Sequence, residues 1–444
     1  MKVLNVKGYL FVLTLLMMGL IFCNNCIAFQ PLAGDIETFN PSFQYFDEDA
    51  DDVIKIGLLW PFSGPAAANG AIYWLQIGWA VHDINTQGGV MVDGKQKKIV
   101  LIKGDTQMEP AAAKRAAEKL CLQDNVDIIM GSTGSHIAAI GQNVAAKYKK
   151  IFVNMASYSD TLMDQDKFNK YTFRTCSTTS MLANGLAHFY ANRPEKDFYI
   201  LCQDYAYGHE FAENFVQALA QVRPDARIVG KDFHPLFVKD FAPYLSKIQG
   251  ANAQVIITAD YTPDSNNLTK QWDQLGMTIP LAGPFVLNPL ALQSIGEPYG
   301  KGFVTVQSCL LDLDKPGNKE FALAWNTQWK RWKDPLYSTN LFQWTGSTLA
   351  QATIGTYWLM HVIEKAGELN PDKIVATWEG DQTIIFGNLY SMRACDHQAM
   401  FNMHVSEIEW PNDYYEKSAG PIKVTAIPAE KIVPPPPKGL KNCQ

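Results

Sequence analysis

The feature that most constrains the fold is a regular alternation of short apolar runs with helical segments, which begins at Val53. The short runs are rich in β-branched residues and are bounded by glycine or proline, which is typical of buried strands. Strands that alternate with helices predict βαβ units and a parallel sheet, because parallel neighbours need a crossover connection. The predicted strands are Val53–Leu59, Ile99–Lys103, Val126–Met130 and Ile151–Asn154, and the predicted helices are Ala71–Asn85, Pro110–Leu122 and Ser135–Tyr148.

The alternation starts again at Phe198, which predicts a second α/β unit. Its predicted strands are Phe198–Cys202, Arg227–Gly230, Val255–Thr258 and Ile279–Ala282, and its predicted helices are Glu210–Val222, Ala242–Gln249 and Asn266–Leu275. Two long helical stretches follow, Asn318–Lys333 and Thr345–Gly367. No repeat with a period of about 20 to 50 residues is present, which argues against a solenoid. We therefore expect an α/β protein with two parallel-sheet lobes.

The N-terminus predicts export. Lys2 and Lys7 precede the apolar run Tyr9–Cys23, and Cys26-Ile27-Ala28 offers small residues at a cleavage site. This pattern is typical of a secretory signal peptide, residues 1–28, because the run is shorter than the roughly 20 residues of a membrane span. We expect a periplasmic protein with no membrane insertion after cleavage. A lipoprotein acylated at Cys23 is disfavoured because the preceding phenylalanine is large.

Charge and motifs restrict the function. The formal net charge of −6 disfavours nucleic acid and anionic lipid as partners. The sequence contains no phosphate-binding loop, dinucleotide fingerprint, nucleophile elbow or HExxH zinc motif. Asp396-His397 is interpreted as structural, because adjacent side chains point in different directions and no nucleophile can be assigned to them. We expect no enzyme, no cofactor and no metal site.

Outside the predicted signal peptide the chain has six cysteines, Cys121, Cys176, Cys202, Cys309, Cys395 and Cys443. Export permits disulfides, and we expect one to three, with the pairing left open. Residues 29–52 lack apolar periodicity and end in an acidic run, so they are predicted to be a flexible arm. Residues 426–444 form a proline-rich tail in which Pro434–Pro437 favours polyproline II.

Small-residue turns follow several of the predicted strands. The turn Gly131–His136 joins a strand to a helix, and backbone N–H groups at a helix start favour an anion. No lysine or arginine lies in it, which favours a carboxylate over a phosphate; helix capping by Ser135 is the structural alternative, and His136 lies beside it. Asn154–Asp160 and Ser63–Pro65 are similar turns. Because carboxyl ends of parallel strands share one edge, the turns are expected to face one crevice.

The order of several motifs resembles the leucine/isoleucine/valine-type (type I) periplasmic solute-binding proteins of ABC importers. The matching segments are Val53–Pro65, Asp83–Asn85, Gly88-Gly89, Asp105-Thr106, Asp127–Gly131, Phe173–Thr175, Asp204–Gly208 and Ile363–Gly367. The resemblance covers roughly residues 53–410. It implies two doubly wound lobes joined by a three-crossing hinge, with residues 53–174 and 309–383 in one lobe and 175–308 and 384–425 in the other. It also implies a monomer that delivers a small-molecule ligand to importer permease subunits, or the same fold used as a sensing module for a membrane receptor.

The resemblance also implies site residues. Ser135 would hold the ligand carboxylate, and the turn Ala156-Ser157-Tyr158 would add hydrogen bonds. Tyr207 and Tyr261 would close over the ligand from the second lobe.

One position departs from the family. Phe285 stands where the amino-acid binders have a glutamate that grips the α-ammonium. The predicted ligand is therefore a carboxylate without an α-ammonium, aromatic or aliphatic, with Trp60 or Phe62 adding apolar surface. Two alternatives stay open: Asp260 replaces the glutamate, so that an amino acid or amide binds, or Phe285 is plain core packing.

Overall fold

The computed structural model describes residues 29–42, 52–287, 300–309, 316–329, 331–333, 337, 350–412, 418–421, 424–440 and 443. The predicted signal peptide and nearly all of the acidic run after it lie outside these residues. Within the described ranges, no helix combines the length and the apolar character needed to cross a bilayer.

The first lobe is built on a six-stranded sheet that follows the first predicted alternation. Its strands are β1 (Val53–Trp60), β2 (Val90–Val92), β3 (Lys95–Asp105), β4 (Ile128–Gly131), β5 (Ile151–Asn154) and β6 (Thr172–Arg174), and its helices are α1 (Ala67–Thr86), α2 (Pro110–Leu122) and α3 (Ser135–Lys147). The strand order is β2-β3-β1-β4-β5-β6, and β1 pairs in parallel with both β3 and β4. The order therefore reverses direction at β1 and β4, where a doubly wound sheet opens a crevice.

The second lobe begins with five strands and four helices. They are α4 (Thr179–Tyr190), β7 (Asp197–Gln203), α5 (Ala206–Val222), β8 (Arg227–His234), α6 (Ala242–Gly250), β9 (Val255–Ile257), α7 (Asp264–Gln274), β10 (Leu281–Gly283) and β11 (Val304–Gln307). Strands β7 to β11 pair in parallel with their neighbours. Helix α4 was not predicted from the sequence; it packs on α5.

The chain then returns to the first lobe through three helices and a small sheet. These elements are α8 (Pro316–Trp329), α9 (Ala350–Ala366), α10 (Pro371–Trp378), β12 (Gln382–Ile385), β13 (Asn388–Met392) and β14 (Ala399–Met400). Helix α9 packs on α1. The β12–β13 hairpin lies beside α9, and the ring centroid of Tyr390 is 6.2 Å from that of Trp358 in this helix. The hairpin thus belongs to the first lobe, so the last crossing lies after Met400 rather than at the expected boundary between residues 383 and 384.

The last strands complete the second sheet. They are β15 (Met403–Asn412), β16 (Ser418–Pro421) and β17 (Thr425–Ile427), followed by the short helix α11 (Ala429–Ile432). The order is β16-β15-β11-β10-β9-β7-β8, and β15 is antiparallel to β11 and to β17. The chain passes between the lobes after β6, after β11 and between β14 and β15. The predicted α/β fold with two doubly wound lobes is confirmed, with an antiparallel margin on the second sheet.

The N-terminal segment 29–42 packs on the first lobe, unlike the flexible arm expected from its sequence. Phe29 is fully buried and stacks on His361, with ring centroids 4.6 Å apart. The N–H groups of Leu32 and Gly34 donate to the Asp83 carboxylate at 2.7 and 2.6 Å. The segment needs no apolar periodicity in its sequence, because it has no continuous apolar face. Single apolar side chains and hydrogen bonds to a buried carboxylate on α1 hold it in place.

The tail also packs on the protein. The Asn184 side-chain amide donates to the carbonyl of Ile432 at 2.9 Å, and Arg393 donates to the carbonyl of Pro434 at 2.8 Å. A disulfide joins Cys395 to Cys443. The remaining cysteines outside the predicted signal peptide, Cys121, Cys176, Cys202 and Cys309, are buried thiols.

Candidate functional site

A pocket lies between the two lobes, at the carboxyl ends of the strands. It holds about 440 Å³ of free space, including its opening to solvent. The first lobe lines it with Asn69, Tyr73, Thr133, Gly134, Ser135, Ala156, Ser157 and Tyr158, and the second lobe with Tyr205, Tyr207, Tyr261 and Phe285. Because both lobes contribute walls, a bound molecule would contact both at once.

The turn before α3 brings backbone close to the pocket. Gly134 has a φ of +83°, a conformation that favours glycine, and a Cβ there would lie 2.9 Å from the Met108 side chain. Ser135 is the first residue of α3, and no side chain caps the helix. The Ser135 hydroxyl oxygen accepts from the Ser159 N–H at 3.3 Å. A hydroxyl whose oxygen already accepts a bond still has its own proton to donate to a ligand.

The second turn is fixed by its own side chains. Asn154 accepts from the Ser157 N–H and donates to the Ser157 carbonyl, both at 2.9 Å. The Ser157 hydroxyl donates to the carbonyl of Ser132 at 2.6 Å. Ser157 therefore ties the two first-lobe turns together, and Ala156 beside it leaves room for a ligand.

Aromatic rings line both sides of the pocket. The Tyr158 ring lies 6.0 Å from that of Tyr207 and 6.1 Å from that of Phe285. The Tyr261 ring lies 6.4 Å from that of Phe285. These separations are within the range of aromatic pairs, so the rings form a continuous apolar wall.

Buried hydroxyls of the pocket lining lack a partner. Within the described part of the chain, the buried Tyr207 hydroxyl and the buried Thr133 hydroxyl make no hydrogen bond. A buried polar atom without a partner is costly, so a polar ligand atom would satisfy these groups. Burial raises the pKa of Tyr207 well above its usual value and that of Tyr261 to about 12. Both tyrosines are therefore neutral at physiological pH and can donate to an anion.

Asp260 does not line the pocket. The residue is 1% exposed and its Oδ2 lies 2.8 Å from Nε2 of His234, whereas Oδ1 makes no hydrogen bond within the described part of the chain. Burial raises the pKa of Asp260, although the bond to His234 opposes that shift. As a consequence, none of the described residues that line the pocket carries a charged side chain.

Trp60 and His136 also lie outside the pocket lining. Trp60 is fully buried at the end of β1 and stacks on Tyr73, with ring centroids 3.9 Å apart. Tyr73 thus presents the first-lobe aromatic surface that Trp60 was expected to provide. Burial lowers the pKa of His136, whose ring faces the backbone of Met108. Seven predicted residues do line the pocket, namely Ser135, Ala156, Ser157, Tyr158, Tyr207, Tyr261 and Phe285.

Sequence reasoning missed Asn69, Tyr73 and Tyr205 as lining residues, whereas Thr133 and Gly134 belong to the predicted turn Gly131–His136. Asn69 and Tyr73 lie four residues apart near the start of α1, and this spacing after the first strand places both on one helix face. Tyr205 lies in the turn after β7, directly before helix α5, which contains Tyr207. The available signals were the helical spacing of Asn69 and Tyr73 and the position of Tyr205 after a strand.

Comparison with known proteins agrees with this architecture. Residues 53–415 match the periplasmic binding protein family. The chain is 26% identical to Leu/Ile/Val-binding protein homolog 4 of Brucella melitensis over 369 residues, which cover 80% of this chain and 84% of that protein. It is also 26% identical to the leucine-, isoleucine-, valine-, threonine- and alanine-binding protein of Pseudomonas aeruginosa, over 73% of this chain and 82% of that protein.

Solved structures show the same fold. One is the closed form of the leucine-, isoleucine-, valine-, threonine- and alanine-binding protein of Brucella ovis, with a TM-score of 0.73, 22% identity and coverage of 87% of this chain and 98% of that one. Another is an ABC-transporter solute-binding protein of Rhodopseudomonas palustris BisB5 in complex with 3,4-dihydroxybenzoic acid, with a TM-score of 0.73, 23% identity and coverage of 85% and 98%. The family match spans most of the sequence, so this chain belongs to the periplasmic binding protein family and is a binding protein rather than an enzyme.

Proposed function

We propose that this protein captures a small organic carboxylate that lacks an α-ammonium, with an aromatic acid as the first candidate, and delivers it to the permease of an ABC importer. The observation that carries the proposal is the pocket lining, in which no described residue is charged. Phe285 lines it at the position where the resemblance to amino-acid binders implies a glutamate. The polar groups that face the pocket are hydroxyls and amides.

Those polar groups suit an anion. The start of α3 faces the pocket, and the N-terminal end of a helix favours negative charge. The hydroxyls of Ser135, Thr133 and Tyr207 can donate to carboxylate oxygens, and bonds to an ionised acceptor are stronger than neutral ones. A carboxylate held in this way needs no lysine or arginine partner.

An α-ammonium would lack a carboxylate partner in this lining. A charge left without its partner in a buried site costs roughly 3–5 kcal/mol. This corresponds to about two to three and a half decades of affinity. Asp260 does not line the pocket, and Oδ2 of its buried carboxylate is already bonded to His234.

The aromatic wall favours a ring or a branched aliphatic chain. Tyr158, Tyr207, Tyr261 and Phe285 offer ring faces and edges on both sides of the pocket. The R. palustris protein with the same fold binds a dihydroxybenzoic acid, which is compatible with this preference. The unpartnered Tyr207 hydroxyl suits a ligand with a polar substituent.

An amino acid is the second candidate. The curated relatives bear names of branched-chain amino acid binders, and ring faces can attract an ammonium through cation–π contacts. Such contacts contribute about 0.5–2 kcal/mol, less than the cost of an ammonium without a carboxylate partner. The aromatic acid is therefore preferred.

Two further proposals concern the protein's setting. Residues 1–28 act as a signal peptide that exports the chain to the periplasm, where it works as a monomer. Ligand binding favours the closed arrangement of the lobes, because the ligand contacts both of them.

The test begins with mass spectrometry of small molecules released from denatured purified protein. Benzoate, 4-hydroxybenzoate and leucine are then compared by thermal shift at equal concentrations. Saturation at a hundred times Kd stabilises a protein by about 2.7 kcal/mol, which gives a measurable rise in Tm. The proposal predicts a rise with at least one benzoate and none with leucine; a rise with leucine alone would overturn it.

A further inference from the structure

A carboxylate of the second lobe binds the ligand-site loop of the first lobe. Glu210 lies in α5, and its Oε1 accepts from the Ser159 hydroxyl at 2.6 Å. Its Oε2 accepts from the backbone N–H of Asp160 at 2.9 Å. Both donors belong to the loop that follows β5, so one side chain bridges the two lobes.

The same loop leads directly to the pocket. The Ser159 N–H donates to the Ser135 hydroxyl oxygen at 3.3 Å, and Ser135 lines the pocket. The Ser159 carbonyl accepts from the buried Arg174 guanidinium at 2.6 Å. Ser159 therefore makes hydrogen bonds with Glu210, Ser135 and Arg174. It is the one residue between Glu210 and Ser135, which lines the pocket.

Asp160 forms the reciprocal contact. Its carboxylate accepts from the Ser180 hydroxyl at 2.7 Å and from the Asn214 amide at 2.8 Å, both in the second lobe. The Thr179 hydroxyl also donates to Asp160, and it lies 3.2 Å from Glu210 Oε2. Each lobe thus offers one carboxylate to donors of the other lobe.

These contacts lie beside the first crossing of the chain between the lobes, where the Thr179 N–H also donates to the Tyr158 carbonyl at 2.8 Å. A separation of a few ångströms would break every bond between Glu210 and the loop, because hydrogen bonds weaken beyond about 3.5 Å. Glu210 itself does not line the pocket. Its influence on a ligand would therefore pass through Ser159 to Ser135.

We propose that Glu210 is a positioning residue for ligand binding: its carboxylate fastens the Ser159–Asp160 loop to the second lobe in the closed state and orients the Ser135 hydroxyl toward the ligand. The inference rests on the proposed function only in that a ligand closes the lobes. It applies equally to an aromatic acid and to an amino acid.

The test compares Glu210→Gln with Glu213→Gln, a matched change at an exposed glutamate on the same helix. In Glu210→Gln the carboxamide keeps the size of the side chain but loses its charge and one acceptor. We expect affinity for benzoate, 4-hydroxybenzoate or leucine, whichever binds the wild type, to fall about tenfold relative to Glu213→Gln. The loss should appear in the dissociation rate, because the contacts form after closure.

A further readout separates positioning from general destabilisation. The Tm of the ligand-free protein should be the same in both variants, because the bridging bonds hold the lobes together rather than hold either lobe folded. Equal dissociation rates, or a lower ligand-free Tm that accounts for the lost affinity, would contradict the proposal.

Failure of the proposed function gives a different pattern. Wild-type binding of leucine alone would contradict the aromatic-acid proposal, while the ratio between the two variants measured with leucine would still test Glu210. If none of the three probes binds, small-angle scattering of the ligand-free proteins decides. A larger radius of gyration for Glu210→Ala than for Glu213→Ala supports the bridge, and equal radii contradict it.

Discussion

The ring of Phe285, from the second lobe, lies 6.1 Å from the ring of Tyr158, from the first, with the planes tilted by 38°. The pair closes one side of the pocket between the lobes with apolar surface. Since Phe285 is neutral, nothing in this wall offers a negative charge to an ammonium. The identity of this one side chain therefore bears directly on ligand charge.

The substitution Phe285→Glu should reverse the charge preference. A carboxylate at this position would repel an acid without an amine, and we expect affinity for benzoate to fall at least tenfold, as isothermal titration calorimetry would measure. The same variant should begin to admit leucine, because the ammonium gains a partner. Phe285→Leu is the control, since it changes shape without adding charge. Unchanged benzoate affinity in Phe285→Glu would place the ligand elsewhere.

Ser135→Ala should weaken ligand binding by about 1–3 kcal/mol, since a bond to an ionised oxygen is lost. Titration calorimetry with benzoate would measure the change. Ser246→Ala, at an exposed position of α6, should leave affinity unaltered. If the two variants bind equally well, the hydroxyl of Ser135 does not contact the ligand.

Much of the fold could be predicted because its signals are local. Helix α2 begins and ends as predicted, at Pro110 and Leu122, because proline is favoured in the first helical turn and the alanine-rich run ends there. Strand β5 also matches, as an apolar run buried on both faces. The antiparallel pairing of β15 with β11 was not predicted, because residues about a hundred positions apart in sequence form it.

A site residue could be predicted only where its position at the end of a strand was enough to place it in the pocket. Ser135 and Tyr158 follow strands whose carboxyl ends meet at one edge, so their placement follows from topology. Trp60 ends a strand as well, but its side chain turns into the core and stacks on Tyr73. Asp260 precedes Tyr261, yet it pairs with His234 of β8, a contact that no local pattern indicates.

Acid should destabilise the protein partly through His361. Burial lowers the pKa of this imidazole from 6.5 to about 4, with the charge of Lys365 adding to the shift. The folded protein favours the neutral ring, whereas the unfolded chain takes up a proton near pH 6.5. The stability of the fold is therefore fully retained above pH 6.5 and is lost as the pH falls toward 4. The expected loss is about 2–3 kcal/mol of unfolding free energy.

Denaturant unfolding of wild type and His361→Phe at several pH values would measure this loss. The unfolding free energy of the wild type should fall relative to that of His361→Phe between pH 7 and pH 4, because phenylalanine keeps the stacking on Phe29 without a titrating group. His209→Gln, at a more exposed histidine, is the control. Parallel stability curves for wild type and His361→Phe would contradict the assignment.

The tail disulfide should stabilise the fold measurably. Cys395 and Cys443 are 48 residues apart, and closing a loop of that size is worth about 4 kcal/mol in the chain-entropy account. We expect Cys443→Ser to lower the unfolding free energy by about 2–4 kcal/mol. Reductant should produce the same loss in the wild type and no further loss in the variant. Equal stability of oxidised wild type and variant would mean that the tail is not covalently held.

Ligand charge is tested most directly by a pair of ligands that differ only in the amine. Leucine and 4-methylpentanoate have the same carboxylate and the same branched chain, so calorimetry on the wild-type protein isolates the α-ammonium. The account predicts that 4-methylpentanoate binds at least tenfold more tightly than leucine, because no described pocket residue offers the ammonium a carboxylate. Tighter binding of leucine would contradict it and would return Asp260 to consideration as the ammonium's partner.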